Sequence, residues 1–387
     1  MKVVFFAQIM PDPCGAFFHD VAIAKELQRR GHTVTFVTTN RGRSGIRGVY
    51  RNLNWVYYTN AENELNGAGV WSTPHFPMMT IVRRLNERFQ KPLVTTMHFG
   101  EDVNTITAYK RAGQWTDILW IISNHIRNHI VNTVPISPTF RIVEAIRPAM
   151  IENEIKFQEK GTVPTGDCIT LINANILKGL ALFLEMANRF PDRKFLGVRP
   201  YYNRIAVPEN IKNIEWIDVQ DDVRVILQRT RILLVPSFYE SWGRVAFEAM
   251  YNGIPVLYSA PMAKDNPNNT RPSGTTEGMK EWIGDSQYAL DYFKIDDWVD
   301  TVNQLDDVNV YAEASRRAYE QTYDMNVFND VNDMERRLQE YAIQFAVSIE
   351  KPKVGGPNAP YTPQMRFVPP SRGSAMPFRG GRFSLKR

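Results

Sequence analysis

Short apolar runs alternate with stretches of helical period along most of the chain. KVVFFAQ (2–8) is a continuous apolar run closed by Pro11 and Pro13, as expected of a parallel strand buried on both faces. FFHDVAIAKELQRR (17–30) then sets Phe17, Val21, Ala24 and Leu27 on one helical face. Gly31 stops that helix, and TVTFVTT (33–39) returns to strand character. Further strands are predicted at WVYY (55–58), PLVTTMH (92–98) and DILWIIS (117–123). A second series begins with the strand CITLINAN (168–175), the helix KGLALFLEMANRF (178–190) and the strand KFLGV (194–198). It continues with NIEWID (213–218), the helix DVRVILQRT (222–230), RILLVP (231–236), the helix GRVAFEAMYNG (243–253) and PVLYS (255–259). This alternation predicts an α/β fold of two facing Rossmann-like domains, over 1–155 and 165–330, with an active-site cleft between them. VNDMERRLQEYAIQFAVSIE (331–350) completes the folded part as an amphipathic helix with Met334, Leu338, Tyr341, Phe345 and Ile349 on one stripe.

Charge separates the last segment from the rest. Eight of the 46 Lys and Arg lie in residues 351–387, with no Asp or Glu among them, which leaves 38 basic against 41 acidic residues before them. The net charge of +5 therefore belongs to the tail, which also holds seven prolines and five glycines and reads as a disordered basic segment. No apolar run reaches the roughly 18 residues that a bilayer span needs. Cys14 and Cys168 lie far apart and suggest neither a disulfide framework nor a metal site, in keeping with a reducing cytoplasm.

In paired α/β domains ligands bind at the carboxyl ends of the strands, which singles out the loops after 2–8, 92–98, 168–175 and 231–236. The last of these opens PSFYESWGRVAFEAMYNGIPV (236–256), with Glu240 in the loop and Glu248 eight positions on in the helix. Gly243, Arg244 and Val245 begin that helix. Their free amides and the positive end of the helix dipole suit a pyrophosphate. Glu248 suits the paired hydroxyls of a ribose, and Glu240 those of a sugar ring.

This stretch resembles the E-x7-E signature of the retaining glycosyltransferases of family 4, which have the GT-B fold. The surrounding order is also similar: strand, KG, helix, PD, strand, DDV, helix, LLVPS, E-S-x-G, EAM, G-x-PV, over about residues 168–290. The resemblance implies that Glu248 holds the nucleoside ribose, that Glu240 contacts the donor sugar, and that Lys178 neutralises the diphosphate leaving group. It implies that Arg199 assists or shapes the nucleoside pocket. It also puts His98 near sugar and acceptor, and Gly15 where the first domain approaches the phosphates. Two departures stand out. Asn173 and Asn175 occupy the strand end where many members carry an arginine, and RPAMIENE (147–154) replaces the usual junction segment.

Transfer from such a donor needs positioning and positive charge more than covalent catalysis, so no cofactor is expected. The acidic pairs Asp221–Asp222, Asp296–Asp297 and Asp306–Asp307 read as helix caps or solvated faces rather than metal ligands. His125 and His129 have ligand spacing but no third partner in view.

The expected activity is transfer of a sugar from a nucleoside diphosphate sugar with retention of configuration. The acceptor stays open. The tail and the arginine loop with Arg41, Arg43 and Arg47 suit a polyanion, such as modified DNA or an anionic membrane surface. Polysaccharide and lipid-linked acceptors are alternatives. So are a sugar-nucleotide epimerase and a non-catalytic nucleic-acid-binding protein on the same fold.

Overall fold

The protein is described by a computed structural model covering residues 1–12, 14–41, 45–74, 78–98, 116–133, 142–201, 207–208, 210–262 and 276–345. Strand β1 (Lys2–Ala7) leads into helix α1 (Gly15–Arg29) and back to β2 (Thr33–Thr38). Gly31 ends α1 in the left-handed region at φ +86°. Its N–H bonds the Gln28 carbonyl and the His32 N–H bonds Leu27, which satisfies the last turn of the helix. Next come β3 (Arg47–Tyr50), β4 (Leu53–Tyr57), α2 (Glu62–Gly67), β5 (Val70–Thr73), α3 (Met79–Phe89) and β6 (Leu93–Met97). β7 (Ile118–Ile121), α4 (Asn124–Thr133) and β8 (Ile142–Ala145) complete the first sheet, in the order β3-β4-β2-β1-β5-β6-β7-β8.

All its pairings are parallel except β3 with β4. That hairpin turns on Arg51 and Asn52, both at positive φ, the backbone of a tight two-residue turn. Arg47, expected in a basic loop, is instead the first residue of β3.

After the short α5 (Glu152–Ile155) the second series runs β9 (Cys168–Leu171), α6 (Leu180–Arg189), β10 (Lys194–Val198), β11 (Ile214–Ile217), α7 (Arg224–Leu227) and β12 (Thr230–Val235). It goes on through α8 (Arg244–Met250), β13 (Val256–Ser259), α9 (Glu277–Ile283), β14 (Tyr288–Leu290), α10 (Ile295–Gln304) and α11 (Val308–Met325). The sheet order is β11-β10-β9-β12-β13-β14, parallel throughout. The inner strands are apolar on both faces because helices cover each side, as the continuous runs implied.

The chain then returns. Helix α12 (Asp330–Gln344) packs against α1 and β5 of the first sheet, burying Val331, Met334, Leu338 and Tyr341. Arg30 and His32 meet Glu335, Arg337 and the Tyr341 hydroxyl meet Glu144, and Arg147 meets Asp330. Both sheets thus belong to one compact unit.

Candidate functional site

The carboxyl ends of β9 and β12 lie against each other. Past β9 the backbone turns through Asn173, at φ +64°. The Asn175 side chain accepts the Lys178 N–H at 3.1 Å and donates to Asn173 Oδ1 at 3.1 Å. This fixes a single 3-10 turn, Ile176–Lys178, which Gly179 closes at φ +80°. The Phe238 N–H reaches over to the Leu177 carbonyl at 3.0 Å, tying the turn to the loop after β12. Across that seam Lys178 Nζ forms an ion pair with Glu240 Oε1, and the same oxygen accepts the Ser237 hydroxyl at 2.8 Å. Ser237 and Glu240 are both buried.

Gly243 starts α8 from the left-handed region, at φ +76°, and a Cβ there would stand 2.4 Å from Met279 Sδ in α9. Only glycine suits both conditions. Arg244 and Val245, first in the helix, have no intrahelical acceptor for their amides. Val245 itself is half-buried against the core. Arg244 Nε donates to Glu248 Oε1 at 2.7 Å along the helix face, and Asn252 Nδ2 holds the Glu248 carbonyl at 2.9 Å. The four residues expected to hold a donor are therefore two cation–carboxylate pairs, Lys178–Glu240 and Arg244–Glu248.

Arg244 also reaches the junction segment, donating from Nη1 to the Ala149 carbonyl at 3.2 Å. The Ala149 N–H donates in turn to His19 Nδ1 at 2.8 Å. An accepting Nδ1 puts the proton of a neutral imidazole on Nε2. Burial, and after it the charge of Arg244, drives the His19 pKa down to about 3, which keeps the ring neutral. His98, buried at the end of β6, meets the His19 ring edge-on with 5.2 Å between centroids. Contacts thus run from Glu248 through Arg244, Ala149 and His19 to His98, joining the two sheets through RPAMIENE.

Beside His19 on α1, Asp20 is wholly buried and neither of its carboxyl oxygens has a hydrogen-bond partner among the described residues, and burial holds its pKa well above the usual range. Burial raises Asp12 to about 6 and, with the nearby Asp12 charge, pushes the Cys14 thiol up to about 12. Gly15 opens α1 with free space where a Cβ would stand.

Arg199 follows β10, which lies on the opposite side of β9 from β12. Its guanidinium donates to the Trp216 carbonyl of β11 at 3.1 Å, toward the edge of the sheet. Arg41 is exposed, while Arg43 and the basic tail 351–387 lie outside the described residues. His125 is the second residue of α4, and its N–H and that of Asn124 are capped by Glu281 of α9 at 2.6 and 3.1 Å. Asp307 caps α11, and Asp222 accepts the Arg224 N–H, as the reading of these acids as caps implied. Among the described residues no group of three His, Cys, Asp or Glu is placed to hold a metal ion, and no helix is long and apolar enough to cross a membrane.

Sequence reasoning missed Ser237 and His19. A serine three residues before Glu240 is a local hydrogen-bonding distance, and HD within the apolar FFHDVAIA run marks two titratable groups on a buried helix face.

Chemically the pairs offer two cations for a diphosphate and two carboxylates for hydroxyl groups. Residues 199–263 match the family described as glycosyl transferases group 1, a stretch that holds Ser237, Glu240, Gly243, Arg244 and Glu248. The chain is a glycosyltransferase.

Solved structures agree on the GT-B fold of this glycosyltransferase. A sucrose-phosphate synthase from Thermosynechococcus elongatus superposes with a TM-score of 0.68 at 13% identity, covering 90% of this chain and 100% of its own. HepE of Anabaena, in complex with UDP and glucose, gives 0.66 at 12% identity over 87% and 99%. An alpha-glucosyltransferase in complex with UDP and a 13-mer DNA containing a HMU base gives 0.62 at 11% identity over 89% and 99%. No curated protein matches the sequence.

Proposed function

We propose that this glycosyltransferase takes its sugar from a nucleoside diphosphate sugar and transfers it with retention of configuration. The observation that carries the reading is the Lys178–Glu240 ion pair seated between the loops after β9 and β12, with Arg244–Glu248 beside it on α8. Lys178 and Arg244 take the diphosphate, assisted by the first amides of α8 and the turn at Asn173. Glu248 takes the ribose hydroxyls and Glu240 the sugar ring. The E-x7-E spacing supports membership of family 4, and the UDP complexes of HepE support a nucleotide donor. Residues 165–330 form the donor side and 1–155 the acceptor side, where His98 and Gly15 face the transfer. Arg199 borders the nucleoside pocket.

As leaving charge builds on the diphosphate, Lys178 and Arg244 stabilise it without proton transfer. The chain's own cations supply this charge, so the mechanism uses no cofactor and no metal ion. Two cysteines without a disulfide suit a cytoplasmic enzyme.

For the acceptor we favour a polyanion, specifically DNA bearing a modified base. The basic tail and the Arg41–Arg47 region support it, as does the DNA held by the alpha-glucosyltransferase of the same fold. A panel of nucleoside diphosphates and their sugars, read by thermal shift, tests the donor. Sugar release with and without hydroxymethylated DNA then tests the acceptor. Donor-dependent stabilisation with no turnover in Glu240→Ala and Glu248→Ala supports the reading. A chain that no nucleotide stabilises refutes it.

A further inference from the structure

Lys178 and Glu240 are held together by more than mutual attraction. The Glu240 side chain is 10% exposed and its Oε1 takes both the ammonium and the hydroxyl of buried Ser237, so the carboxylate is seated on the lysine. A diphosphate that engages Lys178 competes with this carboxylate for the ammonium and draws it away. A largely buried carboxylate parted from its cation is costly unless new donors reach it. The hydroxyls of a donor sugar are such donors. A bare nucleoside diphosphate has hydroxyls only on its ribose, which Glu248 takes, and its terminal phosphate brings additional negative charge toward the Glu240 oxygen.

We propose that Glu240 is a release residue that discriminates the sugar-bearing donor from the spent nucleoside diphosphate. It accepts the sugar hydroxyls while the donor is bound, and its pair with Lys178 re-forms as the diphosphate leaves. This role rests on the donor-site reading above. It predicts an inverted effect, in which removing a binding-site carboxylate tightens the product.

The test is calorimetric titration of the full chain with the diphosphates of uridine, guanosine, adenosine, cytidine and thymidine and with the corresponding glucose nucleotides. Melting curves verify the fold of each variant. For the base that binds, Glu240→Gln holds the bare diphosphate about three- to tenfold tighter than wild type and the sugar nucleotide more weakly. Glu240→Asp, with its carboxylate drawn back from Lys178, shows a smaller gain of the same sign. In a Lys178→Ala background the gain from Glu240→Gln disappears. Unchanged or weaker diphosphate binding in both Glu240 variants overturns the release role, and so does an equal gain without Lys178. A wild-type chain that binds none of the diphosphates overturns the donor-site reading itself.

Discussion

Gly179 approaches Pro236 so closely that a Cβ on the glycine would stand 2.1 Å from the proline carbonyl oxygen. The obstacle is backbone, not the end of a flexible side chain, and the φ of +80° already disfavours any L side chain. Gly179→Ala is expected to lower stability by about 3 kcal/mol or more and to pull Lys178 away from Glu240. Urea unfolding measures it. Gly15→Ala is the control: with nothing near its Cβ position it should stay within about 0.5 kcal/mol of wild type.

Lys178→Ala removes the cation seated at the loop seam. Turnover is expected to fall by roughly 10²–10³, as for the loss of one preorganised group that stabilises developing charge. Initial rates at saturating donor separate this from a change in KM alone.

Glu248→Gln should act on the nucleoside rather than the phosphates. Affinity for the nucleoside diphosphate is expected to drop about tenfold or more, as hydroxyl bonds to a charged group are lost. Binding of inorganic pyrophosphate should hold steady or rise, because Arg244 is no longer neutralised. Parallel titrations with the two ligands decide it, and an equal loss for both would contradict the ribose role.

Asp20 predicts a pH dependence. Its folded pKa lies well above the usual 3.8, so the folded chain keeps a proton that the unfolded chain gives up. The associated stability is complete below about 3.8 and is lost as pH rises toward the folded value. Asp20→Asn, which has no proton to lose, should therefore melt above wild type at pH 8, with the advantage shrinking toward pH 5. His19 acts in the opposite direction, its contribution fading as pH falls from 6.5 to about 3, so the alkaline side isolates Asp20. A constant difference in melting temperature across that range would contradict an uncharged Asp20.

Much of the fold was legible because buried parallel strands announce themselves as apolar runs. KFLGV was read at 194–198 and is found at Lys194–Val198. VWST at Val70–Thr73 was missed since four residues are too few to show a period, although all four are buried. The β3–β4 hairpin was missed because Arg51 and Asn52 adopt positive φ without the Asn-Gly or Asp-Gly that usually marks such a turn.

In the site, Glu240, Gly243, Arg244 and Glu248 were legible from one continuous stretch, whose helix sets Arg244 and Glu248 one turn apart. Lys178 with Glu240, and His19 with Ala149, were not. Those contacts span 62 and 130 positions and depend on backbone turns that composition does not reveal.

Helix α12 closes the chain against the sheet it began with, and this bears on how the enzyme can be divided. A fragment ending near residue 155 would strip Glu335 from Arg30 and His32, and Arg337 and Tyr341 from Glu144, exposing the apolar floor that α12 covers. The first sheet can be excised intact only as a discontinuous piece, its two segments rejoined by a linker that bypasses the second sheet.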